Sequence, residues 1–141
     1  AILTSKYFAI DIDRESQSAF AMFKGQKGHT DEAIKNAQNY IEKNCGEQIT
    51  VEELATIIGL GKRSLERRFK LATNNTVLEY IQRVKIEFAK RSFENSRKNI
   101  NEVMFDVGYT DTKAFRSTFK KITGLSPVEY RNKYNKMAKQ N

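Results

Sequence analysis

The chain has 141 residues, with 25 Lys and Arg against 17 Asp and Glu, a formal net charge of +8 and a mean hydropathy of −0.65. One cysteine, Cys45, and one histidine, His29, exclude an intramolecular disulfide, a cysteine zinc cluster and any two-histidine chemistry. No apolar run reaches the ~18 residues of a membrane span and no signal-peptide pattern is present, so a reducing cytoplasm fits. The charge is unevenly placed: residues 1–60 carry a net −3 and residues 61–141 a net +11. A positive half of this kind points to a polyanionic partner.

Residues 1–28 are polar and glycine-broken, with too few apolar residues to fold alone, and read as a tail or linker. Helical periodicity begins after His29. Thr30 or His29 is placed to cap a helix with Ile34, Ala37, Tyr40 and Ile41 on one face, ending at Gly46. Thr50 with Glu53 three residues on forms a capping box, opening a helix through Leu54, Ala55 and Ile58 that stops at Gly59. After Leu60-Gly61 a basic helix from Lys62 to about Ala72 buries Leu65 and Phe69, with Ala72 beside them. Its other face holds Lys62, Arg63, Arg67, Arg68 and Lys70 against a single Glu66.

A long helix is predicted from Thr76 to Glu94, with Val77, Tyr80, Ile81, Val84, Phe88 and Phe93 as its apolar side. Its 19 residues span roughly 28 Å. Asn99 or Asn101 then caps a helix with Ile100, Val103, Met104 and Val107, ending at Gly108-Tyr109. Thr110 or Asp111 caps a second basic helix, with Phe115, Phe119 and Ile122 inward and Lys113, Arg116, Lys120 and Lys121 outward. Ser126-Pro127 opens the last helix, which carries Val128, Tyr130, Arg131 and Tyr134. The end of the chain is expected to fray.

The second half is a duplication. Gly59 matches Gly108, Leu65 matches Phe115, Phe69 matches Phe119, Lys70 matches Lys120, Thr73 matches Thr123, and Glu79-Tyr80 matches Glu129-Tyr130. The offset is 49 up to the glycines and 50 beyond them, so the second turn is one residue longer. A repeat of this length is one supersecondary unit used twice. Each copy is a helix, a glycine turn and a basic helix, the outline of a helix-turn-helix. Arg63 and Arg67 share one face one turn apart and suit guanine, while Glu66 either accepts from cytosine or pairs with Arg63 or Lys70. In the second copy Thr112, Lys113, Arg116 and Ser117 occupy the reading positions. Lys62, Arg68, Lys70, Lys120, Lys121 and Arg131 are the candidate phosphate contacts.

Residues 49–134 resemble the two-motif DNA-binding domain of AraC/XylS-type transcriptional regulators. The match rests on Leu54-Ala55, Gly59-Leu60, Arg63-x-Leu65-x-Arg67-x-Phe69, Arg83-Val84-Lys85 with Ala89, and above all the run from Val107-Gly108-Tyr109 through Phe115, Phe119-Lys120, Gly124 and Ser126-Pro127 to Tyr130-Arg131. The resemblance implies base contacts through Arg63, Glu66 and Arg67 on the first reader and Thr112, Lys113, Arg116 and Ser117 on the second. Asp13 to Gln17, His29-x-Asp31 and Gln38-x-Tyr40-Ile41 are similar to the join in regulators that carry an amidotransferase-like sensor domain of the ThiJ/intracellular-protease type. Departures from the pattern are Gly61 in place of a capping Ser, Asn74 and Val77 in place of Gly and Pro, and Met104 in place of a small residue.

The expectation is therefore an all-α fold of about seven helices: two helix-turn-helix subdomains (residues 29–75 and 95–136), a linker helix (76–94) and tails (1–28 and 137–141). The expected function is sequence-specific binding of double-stranded DNA by a transcriptional regulator, its two recognition helices in successive major grooves. RNA polymerase is a further partner if the regulator is an activator, and any effector binds to a domain outside this chain. No cofactor, metal or membrane is called for. The alternative is a basic helical module binding an acidic protein or RNA. An enzyme is disfavoured: Asp11 and Asp13 are a carboxylate pair in a polar linker, and no phosphate-cradling loop, nucleophile motif or metal spacing appears.

Overall fold

The computed structural model describes residues 28–137, so the expectations for residues 1–27 and for the last four residues lie outside it. Among the described residues there are seven helices and no strand: α1 Glu32–Lys43, α2 Val51–Ile58, α3 Lys62–Thr73, α4 Val77–Asn95, α5 Ile100–Asp106, α6 Thr112–Thr123 and α7 Pro127–Tyr134.

Local chemistry sets the boundaries. Four helices begin with a reciprocal capping box: Thr50 with Glu53, Thr76 with Glu79, Asn99 with Glu102, and Ser126 with Glu129. Each satisfies two backbone donors that the helix leaves open. The backbone bonds at Glu79 and Glu129 hold both carboxyls below their ordinary range. α1 departs from expectation, since its cap is Asp31 rather than Thr30 or His29, and it ends at Asn44, two residues before Gly46. α2 ends at Gly59 in the left-handed region, φ 84°. α3 ends the same way at Asn74, φ 61°, where its counterpart α6 uses Gly124, φ 84°. Asparagine tolerates that conformation better than most side chains, so its replacement of glycine keeps the turn.

The duplication extends further back than the sequence motif. Phe69 packs edge-on against Tyr80 and Phe119 against Tyr130, each pair with centroids 5.4 Å apart. The Tyr80 hydroxyl donates to the Glu42 carboxylate on α1, and the Tyr130 hydroxyl donates to Glu94 on α4. Burial first, and then the neighbouring carboxylate, push both phenols above their ordinary range. Glu42 and Glu94 thus play the same part 52 residues apart, as do the buried pairs Ile34 and Ile86, Ala37 and Ala89, and Ile41 and Phe93. Each unit is therefore four-helical. The N-terminal half of α4 closes the first unit on Glu42 of α1, and its C-terminal half opens the second in the place α1 has in the first.

α4 accordingly packs against α6 and α7 as well as α1 and α3, and is buried at Val77, Tyr80, Ile81 and Val84 and again at Ile86, Phe88, Ala89 and Phe93. The helix expected as a separate linker is a wall of both units. One inward assignment is corrected: Ile122 is exposed, because Phe115 and Phe119 already fill the space beneath α6 and the last turn runs past the core. The residues just after α7 are tied to α4. Asn135 donates to the carbonyls of Phe93 and Ser96 at 2.7 and 2.9 Å, and the Lys136 amide donates to Glu94 at 2.9 Å.

Candidate nucleic-acid interface

Two buried residues orient each basic helix. Leu65 and Phe69 on α3 and Phe115 and Phe119 on α6 are all fully buried. Helical phase then turns Arg63, Glu66, Arg67 and Lys70 of α3 out to solvent, with Lys113, Arg116, Ser117 and Lys120 at the equivalent places on α6. The seven residues expected to read bases, Thr112 among them, are all exposed. Glu66 has no ion pair within 4.0 Å to Arg63 or Lys70, so the pairing alternative is not what the structure holds.

The two faces are built on the same template and differ in chemistry. α3 begins at Gly61 with no side-chain cap, as the missing serine implied. α6 begins at Asp111, whose carboxylate accepts from the Lys113 amide at 3.0 Å. Thr112, Lys113, Arg116 and Ser117 line an open groove of about 630 Å³ together with Lys120, Lys121 and Ser126. Tyr109 lies in the longer second turn, its ring tilted 59° to that of Phe115 at 5.3 Å, and burial pushes its phenol upward.

The candidate phosphate contacts divide. Lys120 and Lys121 stand exposed on α6, and Lys70 on α3 reaches the Asn74 carbonyl at 3.2 Å. Lys62 pairs with Glu52 at 2.9 Å across the turn, which raises the lysine and lowers the carboxyl from their ordinary values. Both partners are exposed, so this pair is weak and readily exchanged for another anion. Arg131 is half-buried on α7. Arg68 is the exception. Its guanidinium holds Asp31 in two bonds of 2.7 and 3.0 Å, linking α3 to the cap of α1. The hydrogen bonds from Arg68 hold Asp31 below its ordinary carboxyl value. This pair commits two of the five guanidinium donors to Asp31 and gives Arg68 a structural role that the sequence reading did not assign.

Lys85 enters the sequence reading only within the family pattern, with no role of its own. It lies on the buried side of α4, and its ammonium donates to three carbonyls, those of Cys45, Glu47 at 2.8 Å and Val107 at 2.9 Å. Burial pushes this lysine down to about 8, which leaves it charged at neutral pH. Cys45 beside it is buried and its thiol is pushed up to about 12, which makes it unreactive. A lysine one turn from Ile81 and Ala89, in the apolar phase of a helix, was the available signal.

A helix-turn-helix domain family matches residues 54–133. The bifunctional transcriptional activator/DNA repair enzyme AdaA of Bacillus subtilis is 36% identical over 92 residues, covering 65% of this chain and 44% of that protein. The xylose operon regulatory protein of Escherichia coli K12 is 32% identical over 103 residues, covering 73% of this chain and 26% of its own length. The DNA-binding domain of AdpA, solved in complex with a target DNA, has a TM-score of 0.72 and 26% identity, covering 79% of this chain and all of that one. The chain spans at most three-fifths of the length of these curated relatives, and as little as 8% of a longer one. Two glycine-turned units with outward basic helices, and a family match over residues 54–133, place this chain in the AraC-type helix-turn-helix family.

Proposed function

We propose that this chain is the DNA-binding part of a transcriptional regulator, and that one copy reads two successive major-groove segments. The observation that carries the reading is the exposure, on two equivalent helices, of different side chains at equivalent positions. Arg63, Glu66 and Arg67 of α3 read one segment, and Thr112, Lys113, Arg116 and Ser117 of α6 read the other. Lys62, Lys70, Lys120, Lys121 and Arg131 contact phosphates. The AdpA domain, whose structure was solved with a target DNA and is similar along its whole length, supports double-stranded DNA as the ligand.

Because the two reading sets differ, the site has no palindromic symmetry. The two readers sit at either end of a helix of roughly 28 Å, close to the ~34 Å of one DNA turn. Selection of bound duplexes from a random pool, followed by footprinting with titrated protein, tests this. The expected result is a non-palindromic footprint saturated by one chain. A palindromic minimal site that needs two chains would show that one motif is idle.

The wider setting follows from the same reading. The protein acts in the cytoplasm on the nucleoid. If it activates transcription, RNA polymerase is its second partner. Its effector binds to a further domain, for which the amidotransferase-like type is our proposal from the pattern between Asp13 and Ile41.

A further inference from the structure

We propose that Lys85 is a positioning residue that locks the two reader helices at one distance and angle, and so sets the spacing between the two DNA segments that one chain accepts. The proposal rests on the reading of α3 and α6 as the two readers. A helix shared by two units restrains them along one line only. Bending or twisting about that line is resisted only by contacts away from it, and Lys85 makes such a contact.

Its ammonium bonds the Cys45 and Glu47 carbonyls in the connection between α1 and α2, which belongs to the first unit. It also bonds the Val107 carbonyl at the end of α5, which belongs to the second. An ammonium has three donors and no acceptor, so three carbonyls use all of it. α1 ends at Asn44, one residue before Cys45, and α5 ends at Val107, so two helix C-termini direct their partial negative charge at one cation.

The neighbouring backbone leaves no slack. Gly108 has φ 85°, and a Cβ there would lie 2.8 Å from the Lys85 Nζ, 3.0 Å from the Gly46 oxygen and 3.1 Å from the Glu47 oxygen. The Gln48 side-chain amide also donates to the Gly108 carbonyl, from the first unit to the second. Gly108 is thus the surface on which the two units meet, and Lys85 is the bolt through it. One extra base pair between the two segments moves the second by about 3.4 Å and turns it by about 35°. The readers can follow that only if the Lys85 bonds open.

The test takes a duplex selected by the parent chain and compares it with duplexes having one base pair inserted or removed between the two protected segments. Affinities are measured for the parent, Lys85→Met, Lys85→Arg and Gln48→Ala, each at a temperature where circular dichroism shows full helix content. The parent should lose about tenfold or more on either altered spacing, the order of one mismatched base pair. Lys85→Met should bind all three duplexes within about threefold of one another, and so should Lys85→Arg, whose planar guanidinium keeps the charge but does not fit a seat shaped for an ammonium. Spin labels on Thr56→Cys and Lys133→Cys, both exposed and outside the readers, give a measurement without DNA. The distance distribution should be narrow in the parent and broad in Lys85→Met.

An unchanged spacing preference with an unchanged distribution in Lys85→Met overturns the proposal. If Lys85→Met does not fold, Gln48→Ala decides: partial broadening supports the lock and an unchanged distribution overturns it. If the parent selects no duplex at all, the DNA reading fails, and the label distances still decide whether Lys85 locks the units.

Discussion

At the scale of single residues, the interface divides into side chains that read and side chains that only attract. Arg63→Ala or Arg67→Ala should each cost roughly 1–3 kcal/mol on a specific duplex and blur the preference at particular base pairs. Lys120→Ala should weaken all sequences alike and make binding less salt-dependent, because it removes a phosphate contact. Binding isotherms on matched and scrambled duplexes at two salt concentrations separate the two classes, and unchanged base preference in both arginine variants would remove α3 from the reading role. Arg68 stands apart from both classes in that it also holds Asp31. Asp31 has a folded value below the ordinary 3.8, so its charged form stabilises the fold above about that pH, and the contribution is lost as the pH falls through the lower folded value. The stability difference between the parent and Asp31→Asn should therefore hold steady from pH 7 to about 5 and shrink below about pH 4.

Among the helices, the repeat makes paired predictions. Phe69→Ala and Phe119→Ala remove equivalent, fully buried rings and should each cost roughly 3–5 kcal/mol in chemical denaturation. Equal stability of either variant and the parent would mean that the phase of that helix is wrong. Tyr80→Phe should cost about 1–3 kcal/mol by leaving a buried carboxylate short of a donor. Tyr130→Phe should cost less, because the Glu94 side chain retains 17% exposure while Glu42 is 1% exposed. The helices themselves were legible because their signals are local: the box at Thr50, the glycine at 59, and Pro127 after Ser126 lie within four residues of the boundary they mark. The first cap was misplaced because Asp31 competes with two neighbours of similar capping chemistry, and its pairing with Arg68, 37 residues away, decides the matter. The roles of Lys85, Glu42 and Glu94 could not be read for the same reason. Each is polar on an apolar face, and the partner that explains it lies 22 to 40 residues away. Reader exposure could be read from the spacing of Leu65 and Phe69, whereas the engagement of Arg68 could not.

For the whole molecule, the shared α4 predicts one cooperative unfolding event. Calorimetry should give a single transition, and Phe69→Ala and Phe119→Ala should lower that same transition even though they lie in different units. Two resolved transitions would show that the units melt separately. The shared helix also governs how such a protein can acquire a new target. A crossover between two related genes anywhere from Val77 to Asn95 separates Lys85 from part of its seat, because the Cys45 and Glu47 carbonyls lie before the helix and the Val107 carbonyl lies after it. The exposed faces of α3 and α6 touch none of those partners. New specificity can therefore accumulate by point changes on two surfaces, while the frame between them is inherited whole.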